Sequence, residues 1–119
     1  MTERVNPKLS IFPAPILNLP AADIPLAGLK SYLSQSESHQ IIFMEFSEEV
    51  AVPEHSHESQ WAVVLRGEIE LTVDGVTDTY IRGDTYYIPA GVKHAAKIHA
   101  GYADVTFFNQ SDRYQPVQT

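Results

Sequence analysis

The amino-acid sequence predicts an all-β sandwich or barrel, and two observations carry that expectation. From Gly28 onward, short runs rich in Val, Ile, Thr, Tyr and Phe are separated every eight to twelve residues by turn signals. Apolar spacing of the helical kind is nearly absent. With 119 residues, 44% of them hydrophobic, the chain has room for one domain and one modest core.

The elements follow in order. Prolines stand at positions 7, 13, 15, 20 and 25, and each lacks the amide donor that a helix interior or central strand requires. Residues 1–27 therefore read as a proline-rich extended arm with at most one short edge strand near Ile16 and Leu17. The arm's apolar residues Ile11, Phe12, Ile16, Leu17 and Leu26 need a surface to cover, either the chain's own barrel or a second subunit. Residues 28–114 form the barrel. Its first hairpin pairs Leu29 to Ser34 with Gln40 to Phe46 across Ser36-Glu37-Ser38. Leu65 to Glu68 reads as a turn around Gly67, and Asp74-Gly75 joins Glu68 to Val73 with Thr77 to Ile81 in a two-residue hairpin. A turn at Arg82-Gly83-Asp84 leads through Tyr86, Tyr87 and Ile88 to Pro89-Ala90-Gly91. The last strands are Lys93 to His99 and Tyr102 to Phe108, and residues 115–119 read as a frayed tail.

Composition narrows the function classes. Fifteen acidic against eight basic side chains give a formal charge of −7, which opposes nucleic acid and anionic membranes at long range. Neither is an expected partner. Trp61 to Leu65 is too short an apolar run to span a bilayer, and the first residues lack the profile of a signal peptide, so the expected location is cytoplasmic. The chain has no cysteine, which leaves nitrogen and oxygen as the only metal donors.

Histidines supply them. His55 and His57 lie two apart in strand-like sequence, a spacing that turns both imidazoles to one face, and His94 follows the Pro89-Ala90-Gly91 turn. His39 and His99 have no such context and read as surface or hydrogen-bonded residues. Together with Gly67, Gly83, Pro89 and Gly91, the three clustered histidines stand at the spacings of two motifs of the cupin superfamily. The chain resembles that superfamily over roughly residues 40–110, as a small single-domain member. The resemblance implies a double-stranded β-helix (jelly-roll) barrel and one divalent transition metal, zinc, iron, nickel, manganese or copper, held by His55, His57 and His94. It departs in three ways. Glu49 stands where the first motif opens with glycine, only two residues separate His57 from Gln60, and Gln60 occupies the place of the family's glutamate ligand. An unbroken strand would turn Gln60 outward and Trp61 inward, so Gln60 is a fourth ligand only if the chain bends or bulges at Glu58-Ser59. Otherwise the fourth position falls to water, to substrate or to Glu58 or Glu54.

Three neutral imidazoles and an amide would leave the ion's charge uncompensated, which favours anionic ligands. The expected function is thus a metal-dependent enzyme on a small anionic organic molecule, of oxygenase, lyase or isomerase type. The alternatives are a non-catalytic ligand-binding or sensor module, and a structural dimer without turnover. Expected pocket residues are Trp61 and one of Tyr86 and Tyr87, and candidate catalytic groups are Glu58, Tyr86 and His99. A homodimer with residues 11–27 at or near the interface is expected, since small barrels have open edges to pair.

Overall fold

Strands form where the turn residues allow them. The structure, a computed structural model, describes residues 10–117. Its strands are β1 (Leu29–Gln35), β2 (Gln40–Phe46), β3 (Val50–His55), β4 (Gln60–Arg66), β5 (Glu68–Val73), β6 (Val76–Ile81), β7 (Thr85–Ile88), β8 (His94–Ile98) and β9 (Ala103–Phe108). A single helical turn, α1 (Ala14–Leu17), precedes them. The strands make two antiparallel sheets, ordered β1-β2-β9-β4-β7 and β3-β8-β5-β6, which face each other as a jelly-roll β-barrel of the double-stranded β-helix type. Asp74 and Gly75 both adopt positive φ, 49° and 81°, the backbone that a two-residue hairpin needs to match strand twist.

Alternation decides what lies between the sheets. Ile42 and Met44 of β2, Ala62 and Val64 of β4, Tyr86 and Ile88 of β7 and Phe108 of β9 point inward from the larger sheet. Ile69 and Leu71 of β5 and Ile98 of β8 meet them from the smaller one. Each large apolar side chain so enclosed stabilises the fold by roughly 1.5–3 kcal/mol.

Alternation breaks in the segment that carries the histidines. Val52 pairs with Ala96 but His55 pairs with His94, so three steps on β3 oppose two on β8, and the register shifts between them. The extra residue is a β-bulge at Pro53, which has no amide to give to the ladder. Because of it, Val52 and His55 both face the barrel interior although they stand three positions apart in the chain.

The arm differs from the sequence expectation. Ile16 and Leu17 belong to a helical turn rather than an edge strand, with Leu17 N–H donating to Pro13 O at 3.1 Å. Pro15 sits in the first turn, where its missing N–H costs nothing. The described part of the arm lies on the chain's own barrel: Phe12 is buried edge-on against Tyr32 and Phe43, and Ser10 Oγ–H donates to Glu45 Oε2 at 2.8 Å. The tail is also tied down as far as it is described. Asp23 N–H donates to Gln115 O at 2.7 Å and Val117 N–H to Ala21 O at 2.8 Å, around a bridge between Ala22 and Pro116. Of the tail expected to fray, residues 115–117 carry these bonds, and residues 118–119, like 1–9, lie outside the described residues.

Candidate metal centre

Three imidazoles converge at one side of the barrel interior. His55 ends β3, His57 follows in the β3–β4 connection, and His94 opens β8 directly opposite His55. One ring nitrogen from each lies within 4.8 Å of the others, and Nε2 of His57 stands 3.0 Å from Nε2 of His94. Each Nδ1 faces a backbone carbonyl: Pro53 O at 2.8 Å from His55, Glu58 O at 2.6 Å from His57, and Val92 O at 2.9 Å from His94. A carbonyl can only accept, so Nδ1 carries the proton and Nε2 is left with a free lone pair. The chain thereby fixes the tautomer and the aim of every ring, as backbone partners do around bound metals.

Two lone pairs that meet at 3.0 Å repel unless a cation lies between them. Two nitrogens each about 2.0–2.1 Å from one ion, and about 90–109° apart around it, are separated by roughly 2.9–3.4 Å. The donor set therefore fits a metal ion. Electrostatics favour the neutral, ligating form of the rings. Burial holds His57 down to about 4, and the charge of Arg113 adds to that, against the hydrogen bond to Glu58 that pulls it up. Burial likewise lowers His94, aided by His55 and Arg113 and opposed by its bond to Val92.

The residues expected at the site separate into two groups. Gln60 lines the same cavity as the histidines, because the chain leaves its strand at Ser56 to Ser59 and resumes with the opposite parity at Gln60. Tyr86 lines it too, from β7. The same change of parity puts Trp61 outside: it is 43% exposed, beside its β7 partner Tyr87, which is 60% exposed. Neither borders the cavity, and of the two tyrosines it is Tyr86 that lines it. Glu54 and Glu58 are exposed on the rim side, and the contribution of Glu58 is its backbone carbonyl. His99 lies outside the cavity in a surface cluster, with Nε2 at 2.6 Å from Glu70 Oε2 and Nδ1 at 3.6 Å from Glu49 Oε1. His39 stacks on Phe107 at 5.0 Å on the outer face and bonds to Ser36 Oγ at 2.9 Å.

Sequence reasoning missed two charged residues of the cavity. Asp104, on β9, is buried and accepts a hydrogen bond from Tyr102 Oη–H at 2.6 Å through Oδ2. Burial pushes its carboxyl up to about 6, with the hydroxyls of Tyr102, Thr106 and Tyr86 drawing it down. Its even spacing from Phe108 was the available signal, since an inward Phe108 requires an inward Asp104. Arg113, in the segment after β9, carries no strand parity, and no sequence signal pointed to it. The cavity also takes Ile24 and Leu26 from the arm, and its volume is about 90 Å³. That is well below the roughly 300–1,000 Å³ of sites for drug-sized ligands. Among the described residues no helix is long and apolar enough to cross a membrane.

Comparison with known proteins agrees with this geometry. The barrel is similar to an RmlC-like cupin from Shewanella frigidimarina, with TM-score 0.69, 24% identity, and 79% of this chain and 86% of that one covered. It is also similar to KdgF from a Halomonas species, with TM-score 0.65, 18% identity and coverage of 76% and 87%. Oxalate decarboxylase from Bacillus subtilis matches with TM-score 0.67 and 19% identity, over 81% of this chain but only 28% of that one. At these identities the likeness shows the fold alone. No curated protein matches the sequence significantly. A sequence model of the cupin domain matches residues 42–109, more than half of the chain and all three histidines, and the protein accordingly belongs to the cupin domain family.

Proposed function

We propose that the protein is a metal-dependent enzyme acting on a small anionic organic molecule, with one divalent transition metal held by His55, His57 and His94 and a fourth donor from Gln60. The observation that carries this reading is the convergence of three imidazoles, each with Nδ1 bonded to a backbone carbonyl, with Nε2 of His57 and His94 3.0 Å apart. A divalent ion bound there would act as a Lewis acid toward an oxygen of the substrate. The chain's own groups do the rest. The amide of Gln60 brings no negative charge, so the site's attraction for anions is undiminished. Tyr86 keeps its proton, because burial and then the Asp104 charge push its hydroxyl above the ordinary tyrosine range. It is a hydrogen-bond donor to a ligand and not a base. Asp104 holds or releases a proton near pH 6 from the same cavity. Apolar walls from Met44, Ile88 and Phe108 exclude bulk water and strengthen each of these interactions. The oxygenase, lyase and isomerase classes are all compatible with this set. The protein is further proposed to act in the cytoplasm as a homodimer.

Elemental analysis of the purified protein tests the reading. One equivalent of metal is expected, lost in His57→Ala and His94→Ala while circular dichroism shows both still folded. A site that stays empty after reconstitution with zinc, iron, nickel, manganese and copper ions would refute it. Light scattering on the same sample should give twice the 13.3 kDa chain mass. Ligand stabilisation without turnover by any metal form would favour the binding-module alternative.

A further inference from the structure

Among the described residues, the guanidinium of Arg113 has no hydrogen-bond or ion-pair partner. Arg113 lines the cavity together with His57, Gln60 and His94. Its Nε is buried and has no hydrogen-bond acceptor among the described residues, and no carboxylate comes within ion-pair distance of it. Its cation lies over aromatic rings instead, with Cζ 4.3 Å from the centre of the Tyr114 ring and 5.8 Å from that of Phe108. A cation–π contact uses the face of the guanidinium and does not occupy its terminal N–H donors. Its positive charge also acts on His57 and His94.

A guanidinium does not lose its proton, and Arg113, partly buried with no carboxylate beside it among the described residues, would gain from an acceptor brought by a ligand. The cavity's own carboxylate does not compensate it. Asp104 is engaged with Tyr102 through Oδ2, and its Oδ1 is likewise without a partner, so the two opposite charges of the cavity are not bonded to each other. What the pocket lacks for Arg113 is an anionic acceptor. The cavity volume of about 90 Å³ suits a small group. The chain's overall charge of −7 would repel an anion at long range, so recognition has to be local.

We propose that Arg113 is the anion receptor of this pocket and that the ligand is a small carboxylate, clasped by the Arg113 fork on one side and facing the three-histidine site on the other. The inference deepens the metal-centre reading and rests on it for the second contact only. A planar carboxylate matches the two-pronged fork, whereas a neutral amide of the same shape does not. Lysine keeps the charge at this position but loses both the fork and the planar face.

Isothermal titration of wild type, Arg113→Met and Arg113→Lys decides it, each in metal-loaded and metal-free form, with glycolate and malonate as probes and glycolamide as the neutral control. Metal uptake is measured separately by elemental analysis. Wild type is expected to bind at least one of the two carboxylates and to bind glycolamide far more weakly. Arg113→Met should weaken carboxylate binding about 10- to 100-fold while taking up metal as wild type does. Arg113→Lys should fall between the two. If Arg113→Met does not fold, a loss of about fivefold or more in Arg113→Lys supports the proposal and an unchanged affinity overturns it. Metal-loaded wild type that binds neither carboxylate, or binds them no better than Arg113→Met does, overturns the proposal and leaves the metal centre standing. Should wild type take up no metal, the metal-centre reading fails alone. Weaker, Arg113-dependent carboxylate binding by the metal-free protein then supports the receptor, and its absence removes both.

Discussion

Asp104 shows what enclosure does to a single side chain. Its carboxyl is 3% exposed, and burial pushes it up to about 6 although Tyr102 Oη–H donates to it at 2.6 Å. The unfolded chain releases this proton near 3.8, so between about pH 4 and 6 the folded state holds a proton that the unfolded state has lost. Folding stability from this group is complete below about pH 3.8, falls as pH rises, and is gone above about pH 6. A shift of about two units corresponds to roughly 3 kcal/mol. Asp104→Asn carries a neutral amide at every pH and escapes that loss. Denaturant unfolding at pH 4, 5, 6 and 8 should show the variant gaining on wild type through the middle of the series, by up to about 3 kcal/mol at pH 8. His57 works in the opposite sense, because burial holds it down to about 4 and the stability it contributes above pH 6.5 is lost on acidification. Both proteins contain His57, so it cancels in the difference. A difference independent of pH would mean that the carboxyl titrates as in the open chain.

Between β4 and β5 the chain turns at Gly67 under two constraints. Its φ is 71°, and a Cβ there would stand 2.8 Å from Cα and 2.9 Å from N of Tyr102. Those are backbone atoms of the strand entry beneath the turn, and they cannot rotate aside. Gly75, in the β5–β6 hairpin, has φ 81° but nothing within 4 Å of the same position. The comparison separates strain from collision. Gly75→Ala should cost about 1–2 kcal/mol, the price of a left-handed conformation, whereas Gly67→Ala should cost more, by at least about 1 kcal/mol. Equal losses in thermal unfolding would show that the Tyr102 contact yields. Spacing alone made Gly67 legible as a motif position, but its reason was not legible, because Tyr102 lies 35 residues later in the chain. The hairpins at Asp74-Gly75 and around Ser36 were readable for the opposite reason: a local backbone requirement selects local residues. The helical turn α1 was hidden because proline in the first turn of a helix and proline in an extended arm look alike in sequence.

Across the whole molecule, strand existence was legible and strand parity at the site was not. Two interruptions, the Pro53 bulge and the break at Ser56 to Ser59, reset which residues face inward. They bring His55, His57 and Gln60 to one cavity and leave Trp61 outside. The proposed ion would therefore join distant parts of the chain: β3, its outgoing connection and β8 through the histidines, and β4 of the opposite sheet through Gln60. A ligand that binds only the folded state stabilises it by mass action, about 2.7 kcal/mol when free metal is 100 times Kd. For a domain of this size that corresponds to a rise in Tm of roughly 10 °C. Wild type should show this shift in a metal titration, and His94→Ala should show none. Gln60→Glu is the informative variant, because it adds one negative charge at the junction of the two sheets. If Gln60 reaches the ion, the variant should show the half-maximal shift at about a tenth of the metal concentration, the equivalent of 1.4 kcal/mol. If its midpoint matches wild type, the fourth donor is not residue 60 and the ion ties only the smaller sheet and the connection that leaves it.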